Sequence, residues 1–190
     1  MNLHGDVERI LFNESEIEVA IDRAASEITE HYEGTEFTVV AVLKGSCVFV
    51  SDLIRRIPIP LELSFLGVSS YGGGTESGDL RITFLPPGGE IEGRNLLVVD
   101  DILDTGRTLS RVRAELEMRG AREVRTCVFL DKPSRRIVPI VPDVRCFEIE
   151  DIFVVGYGLD FAGRYRNLPY VAALRAEVLA RRPRLDPTPG

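Results

Sequence analysis

The 190-residue sequence is poor in the residues that most metal and thiol sites require. Its three cysteines form no CxxC pair, and its two histidines, His4 and His31, have no ligand-like spacing to them. Structural zinc and a histidine-centred triad therefore lack their parts, and we expect any general base to be a carboxylate. Cys47, Cys127 and Cys146 each lie in an apolar run, which predicts reduced thiols buried in the core.

The sequence also lacks long apolar runs and an excess of positive charge. No run approaches the ~18 residues that a membrane span needs, and the first thirty residues hold no basic stretch followed by an apolar segment. The net charge of -7 disfavours nucleic acid as a partner, because phosphate binding draws on Lys and Arg. We therefore expect a soluble, cytoplasmic protein without a membrane or nucleic-acid partner.

A Walker-type phosphate loop is missing as well. No GxxxxGK[ST] motif occurs, and the run Gly72 to Gly74 lies in a segment rich in Gly and Ser, residues 69–79, which is predicted to be a mobile loop. Phosphoryl transfer from ATP is disfavoured accordingly.

Strand and helix patterns alternate along the chain and predict one α/β domain over residues 1–180, with a flexible tail over 181–190. Alternation of this kind favours a mostly parallel central sheet flanked by helices. A segment at 170–182 fits a strand, a helix or both in succession. Helices are predicted over 15–32, 46–56 and 108–119, and strands over 37–43, 61–68, 80–85, 95–99, 124–130, 143–150 and 152–158.

The most informative segment is LLVVDDILDTGRTLS, Leu96 to Ser110. Ligands of open α/β sheets bind beyond the carboxyl ends of the strands, and here such an end carries acids followed by a turn that opens a helix. The turn Thr105, Gly106, Arg107 and Thr108 would offer amides and hydroxyls to a phosphate. The residues alone fit equally well a strand, an acidic turn and a capped helix.

The string VVDDILDTGRT resembles the ribose-phosphate signature of the type I phosphoribosyltransferases. LKGS resembles their pyrophosphate loop and SSYG their closing loop, while LDKPSRR and FVVGYGLDFAGRYRNLPY resemble the base-binding region of the hypoxanthine-guanine branch. These motifs run in order from about residue 37 to 171. The resemblance implies the type I phosphoribosyltransferase fold, with a small hood over the base site contributed by the chain ends.

The resemblance also implies how pyrophosphate is bound. Lys44 and Gly45 would bind it, after a peptide bond that is cis in similar enzymes, and Arg166 would reach it as a charged donor. Ser70 and Tyr71 would contact it when the mobile loop closes and excludes water. The alternatives are a solvated lysine, a surface ion pair and an unstructured surface loop.

Acidic residues carry the remaining sugar and catalytic roles in the family. Asp100 and Asp101 would bind the ribose hydroxyls or Mg2+, and Asp160 would help to hold a second Mg2+. Many members have Glu-Asp where this chain has Asp100 and Asp101, which leaves direct or water-mediated ribose contact open. Asp104 would lie beside N7 of the purine as general base, and its alternative is an N-cap of the following helix.

The base-binding roles fall on four residues. Lys132 would donate to the 6-oxo group, Phe153 would stack on the ring, and the backbone carbonyls of Val154 and Asp160 would accept from the guanine amine. This pattern favours 6-oxopurines over adenine, whose 6-amino group would present a donor to a donor. The alternatives are a solvated Lys132 and a core aromatic at Phe153.

These resemblances together imply a purine salvage enzyme. With Mg2+ it would convert hypoxanthine or guanine and 5-phosphoribosyl 1-pyrophosphate into IMP or GMP and pyrophosphate, as a homodimer or homotetramer. A xanthine-preferring enzyme and a pyrimidine-operon-type RNA-binding regulator are the alternatives. The charge of -7 and the VVGYGLDF segment argue against the regulator.

Overall fold

The computed structural model describes residues 3–70 and 80–180, and within them it contains two sheets and four α-helices. The strands are β1 (Val7–Phe12), β2 (Thr38–Leu43), β3 (Glu62–Ser70), β4 (Leu80–Phe84), β5 (Asn95–Leu103), β6 (Glu123–Asp131), β7 (Val144–Glu148), β8 (Val154–Val155) and β9 (Val171–Leu174). The helices are α1 (Glu14–Tyr32), α2 (Cys47–Ile54), α3 (Arg107–Met118) and α4 (Ala176–Ala180).

The larger sheet has six strands in the order β4-β3-β2-β5-β6-β7. Every neighbouring pair is parallel except β3 and β4, which pair antiparallel at one edge. Parallel strands joined through helices need both faces covered, and here each face carries its own apolar core. The mostly parallel sheet flanked by helices that the sequence predicts is confirmed.

The two cores follow from the alternation of side chains along β2. Val39 and Ala41 face the core shared with α1 and α2, whereas Val40 and Val42 face the core shared with α3. All four side chains are essentially removed from solvent. The central strands are therefore fixed from both sides, which gives their carboxyl ends a rigid base.

The two ends of the chain meet in the smaller sheet, which has the order β1-β9-β8 and is antiparallel. Val7 pairs with Leu174 and Phe12 with Val171, and β8 follows on the other side of β9. Sequence patterns did not predict β1, whose side chains are exposed or half-buried. The ambiguous segment at 170–182 contains both β9 and α4.

Two strands extend beyond their predicted ends. Strand β5 continues through Asp100 and Asp101 to Leu103, where the sequence pattern ended it at Val99. Strand β3 continues to Ser70, so only its last two residues belong to the predicted mobile loop. The rest of that loop and the predicted tail, 181–190, lie outside the described residues. No helix of the described ranges is long and apolar enough to cross a membrane.

The prediction that all three cysteines lie in the core is wrong for one of them. Cys127 and Cys146 are buried, and Cys47 is exposed. Cys47 is the first residue of α2, and the buried side chains of that helix are Phe49, Val50 and Leu53. An apolar run wound into a helix keeps a solvent side, so an apolar neighbourhood in sequence does not bury each member.

Candidate active site

One cleft of about 390 Å³ opens at the carboxyl ends of β2 and β5. Parallel strands deliver the residues that follow them to the same edge of a sheet, which is where ligands of such folds bind. The cleft collects segments that are far apart in the chain. Ten of the predicted site residues line it: Lys44, Gly45, Asp100, Asp101, Asp104, Thr105, Gly106, Thr108, Asp160 and Arg166.

Two acids at the end of β5 form the floor of this cleft. The carboxylate of Asp100 accepts the Asp101 amide at 3.0 Å, and that of Asp101 accepts the Ile102 amide at 2.9 Å. Burial raises the pKa of Asp100 well above its ordinary value, and the Asp101 charge adds to the rise. Burial likewise raises the pKa of Asp101. A bound cation would offset both effects.

The loop after β5 turns into α3 without a side-chain cap. Gly106 is the N-cap residue with φ of +84°, a backbone conformation that favours glycine, and having no side chain it makes no capping hydrogen bond. The Arg107 amide, the first of the helix, has only a long contact of 3.5 Å to Thr105 Oγ1. The N-cap alternative for Asp104 is therefore wrong. The uncapped helix start beside Thr105 and Thr108 fits an anion, because free amides and the helix dipole both favour negative charge.

The loop after β2 approaches the acids closely. The peptide bond between Leu43 and Lys44 is cis, as the resemblance implies. Gly45 packs so tightly against Asp101 that a Cβ placed on it would lie 1.5 Å from Oδ2. On its other side, a Cβ on Gly158 would lie 2.2 Å from the Gly45 carbonyl oxygen. Glycine at both positions lets three chain segments converge beside Lys44.

An ion pair also lines the cleft. Arg166 contacts Asp160 at 2.6 Å and donates to the Gly158 carbonyl at 2.6 Å. Asp160 also accepts the Gly163 amide at 2.7 Å. This ion pair is the one that the sequence offered as the alternative to pyrophosphate binding. Both of its residues line the cleft, so it is not an ion pair elsewhere on the surface. The charge of Arg166 acts on Asp101 and lowers its pKa in part, against the larger effect of burial.

A second group of predicted residues adjoins Asp104. Lys132 is buried, its pKa is lowered by burial, and its ammonium donates to the Ile152 carbonyl at 2.6 Å. The next residue, Phe153, is 47% exposed and meets Phe161 edge to face with ring centroids 5.5 Å apart. Lys132 is thus not solvated and Phe153 is not a core residue, so both alternatives are wrong.

Comparison with known proteins agrees with this geometry. The family described as Phosphoribosyl transferase domain matches residues 9–162, which is more than half of the chain. The chain belongs to the phosphoribosyltransferase family. A hypoxanthine-guanine phosphoribosyltransferase of Lactococcus lactis is 44% identical over 93% of this chain and 96% of its own.

Other similar proteins extend the comparison. A solved hypoxanthine phosphoribosyltransferase of Staphylococcus aureus is 40% identical, with a TM-score of 0.87 over 93% of this chain and 96% of its own. The bifunctional protein TilS/HprT of Listeria monocytogenes is 43% identical over 93% of this chain. The chain spans only 27% of that bifunctional protein. The predicted family and type I fold are confirmed.

Six predicted site residues of this phosphoribosyltransferase lie outside the lining of the cleft. Lys132 interacts with Asp104 through its charge, and Phe153 follows Ile152, whose carbonyl Lys132 contacts. Arg107 is exposed at the start of α3, and Val154 is buried in β8. Ser70 ends β3, and Tyr71 lies outside the described residues.

The structure adds residues to which sequence reasoning assigned no role. Arg135 contacts the Asp104 carboxylate at 2.8 Å and Asp151 at 3.5 Å. Its neighbour Arg136 pairs with the buried Asp131. Arg135, Arg136 and Asp131 lie in the quoted segment LDKPSRR. The two arginines that follow a strand end in this segment were the available signal.

Proposed function

We propose that this phosphoribosyltransferase converts hypoxanthine or guanine and 5-phosphoribosyl 1-pyrophosphate into IMP or GMP and pyrophosphate. The observation that carries the proposal is that a glycine-capped helix start, two buried acids and a lysine loop converge in one cleft beside Lys132 and Phe153. The names of its relatives in Lactococcus lactis and Staphylococcus aureus support the choice of substrate.

The sugar is bound at the end of β5. The 5-phosphate is bound by the amides and hydroxyls between Thr105 and Thr108, because the start of a helix favours an anion. Arg107 lies at the edge of this group. Asp100 and Asp101 accept from the two ribose hydroxyls, directly or through the metal. The phosphate therefore fixes one end of the ribose and the acids fix the ring.

Magnesium fits the chemistry of this cleft. Burial of two adjacent carboxylates raises their pKa values, so a hard cation there would restore their charged forms. The described residues hold no group of three or more His, Cys, Asp or Glu side chains that could bind a metal alone. Mg2+ commonly uses one or two carboxylates and the phosphates of its substrate. Asp100 and Asp101 would hold one Mg2+ and Asp160 would help to hold a second, and the metal would neutralise charge on the pyrophosphate.

The protein's own groups act on the leaving pyrophosphate and on the base. Lys44 and Arg166 supply positive charge as the bond to C1 breaks, and Gly45 lets the backbone approach the phosphates. Asp104 lies beside the attacking purine as general base or acceptor at N7. Ser70 and Tyr71 remain predicted contacts of the closing loop.

Recognition of the base follows from donors and acceptors. An ammonium has three N–H groups, and Lys132 commits one to Ile152, which leaves donors for a 6-oxo group. Phe153 stacks on the ring, while the carbonyls of Val154 and Asp160 accept from the guanine amine. The three-stranded sheet, whose strand β8 begins beside Phe153, forms the hood. Assembly as a homodimer or homotetramer in the cytoplasm completes the proposal.

A spectrophotometric assay with 5-phosphoribosyl 1-pyrophosphate, Mg2+ and each purine in turn tests this function. Turnover with hypoxanthine or guanine is expected, and turnover with adenine is not. A preference for xanthine would change the substrate but keep the mechanism. Absence of turnover with every 6-oxopurine would defeat the proposal.

A further inference from the structure

The backbone carbonyls at the end of β5 and in the loop that follows it accept hydrogen bonds from another segment of the chain. Leu103 O accepts from the Lys132 amide at 2.9 Å and from Arg136 Nη1 at 3.0 Å. Asp104 O also accepts from Arg136 Nη1, and Thr105 O accepts the amides of residues 137 and 138 at 2.9 and 3.0 Å. Three successive carbonyls therefore point to the segment 132–138.

This contact fixes the direction of the amides. In a trans peptide unit the C=O of one residue and the N–H of the next point in opposite directions. With the carbonyls of residues 103 to 105 turned toward 132–138, the amides of Asp104, Thr105 and Gly106 point away from that segment. Those residues line the cleft on their other side. The backbone of the phosphate loop is thus oriented before a ligand arrives.

Arg136 is the only side chain in this set of contacts, and it is anchored in turn. Its guanidinium pairs with Asp131, which is 2% exposed, while its own side chain is 14% exposed. Its Cδ would lie 3.1 Å from a Cβ placed on Gly106, so the stem packs against the turn. The planar guanidinium of Arg136 donates to two carbonyls and pairs with one carboxylate, and a lysine ammonium cannot reproduce this geometry.

The ion pair between Arg136 and Asp131 also connects the phosphate loop to the end of β6, which is followed by Lys132. Asp131 is the last residue of β6 and directly precedes Lys132, the proposed donor to the purine. We infer that Arg136 is a positioning residue that sets the geometry of the phosphate loop from the strand end that carries Lys132. This inference rests on the proposed function, and Arg136 itself touches no substrate.

Arg145 provides a matched control. It also contacts Asp131, at 3.2 Å, and it further pairs with Glu148 at 3.0 Å. None of its recorded hydrogen bonds or ion pairs reaches the loop at residues 103 to 105. Arg136→Lys and Arg145→Lys therefore each remove a guanidinium that pairs with Asp131. Only Arg136→Lys also removes the hydrogen bonds to the carbonyls of residues 103 and 104.

The test is steady-state kinetics with thermal unfolding of each variant. Arg136→Lys is expected to raise the KM for 5-phosphoribosyl 1-pyrophosphate about ten-fold, the size of one charge-assisted hydrogen bond, and to leave the purine KM within about two-fold. Arg145→Lys is expected to change neither constant. A purely structural role would lower the unfolding temperature of Arg136→Lys and leave both KM values of the folded enzyme unchanged, which would overturn the inference.

A second variant and a second readout keep the test decisive. Asp131→Asn keeps the volume and removes the anchor charge, so it should raise the same KM even if Arg136→Lys does not fold. Calorimetric binding of ribose 5-phosphate, which needs no turnover, should weaken about ten-fold in Arg136→Lys. Unchanged binding would refute the role of Arg136. A wild-type protein that binds ribose 5-phosphate but turns over no purine would instead refute the proposed function alone.

Discussion

Replacing Gly45 with alanine would place a methyl group where the Asp101 side chain now lies. The added Cβ would be 1.5 Å from Oδ2 and 2.4 Å from Cγ of that carboxylate, and real Cβ contacts are essentially never shorter than 3.0 Å. Asp101 would therefore have to move by at least about 1.5 Å, the difference between these distances. Such a movement breaks its 2.9 Å bond from the Ile102 amide.

The size of the effect follows from that bond and from crowding. A hydrogen bond to a carboxylate contributes about 1.5–3 kcal/mol, which is roughly 10- to 150-fold in an equilibrium constant. Because Asp101 is a proposed ribose and magnesium contact, the KM for 5-phosphoribosyl 1-pyrophosphate and the Mg2+ concentration for half-maximal rate should both rise within that range. The purine KM should change least.

Kinetics at varied Mg2+ checks this, with Gly88→Ala as the control. Gly88 has an ordinary φ, and a Cβ on it would meet nothing within 4 Å, so this variant makes the same chemical change without a clash. A folded Gly45→Ala enzyme with wild-type KM and wild-type Mg2+ dependence would refute the placement of Asp101 in the sugar and metal site.

Three further predictions address the other parts of the cleft. Asp104→Asn should lower kcat about 100-fold or more, as expected for loss of a general base, while the KM for 5-phosphoribosyl 1-pyrophosphate changes little. Steady-state kinetics in which turnover and the binding of this substrate weaken equally would contradict this prediction. Lys132→Met should raise the KM for hypoxanthine and guanine at least about ten-fold, since it removes a charged donor, and competition by adenine against guanine should show weakened discrimination.

The third concerns pH: Asp100→Asn should raise the unfolding temperature of the ligand-free protein at neutral pH. Burial raises the folded-state pKa of Asp100, so the folded state binds more protons than the unfolded state, and the wild type loses stability as pH rises from 3.8 through that raised pKa. Unfolding curves at several pH values should show the advantage of the variant vanish below pH 3.8, and a constant advantage would contradict this origin.

Residues that lie together in sequence were the predictable part of the site. Asp100 to Thr108 occupies one strand end, one turn and one helix start, so local patterns place their acids and amides correctly with respect to each other. Within this segment the end of β5 was misplaced, from Val99 to Leu103. Acidic residues are depleted in strands, but β5 carries two of them near its carboxyl end, where the strand lines the cleft.

Contacts between distant segments were the unpredictable part. Strand β1 pairs Val7 with Leu174, and none of its side chains is fully buried, so no local apolar alternation marks it. The approach of Gly45 to Asp101 joins segments that are far apart in the chain, as does the approach of Arg136 to the carbonyls of residues 103 and 104. Propensity and periodicity describe neighbours along the chain, and they carry no information on such approaches.

A crystal structure of the protein with GMP tests the central claim most directly. The account predicts the 5-phosphate within hydrogen-bond distance of the amides and hydroxyls between Thr105 and Thr108, and the purine against Phe153 with its 6-oxo group toward Lys132. A nucleotide bound elsewhere, with the start of α3 free of phosphate, would contradict it.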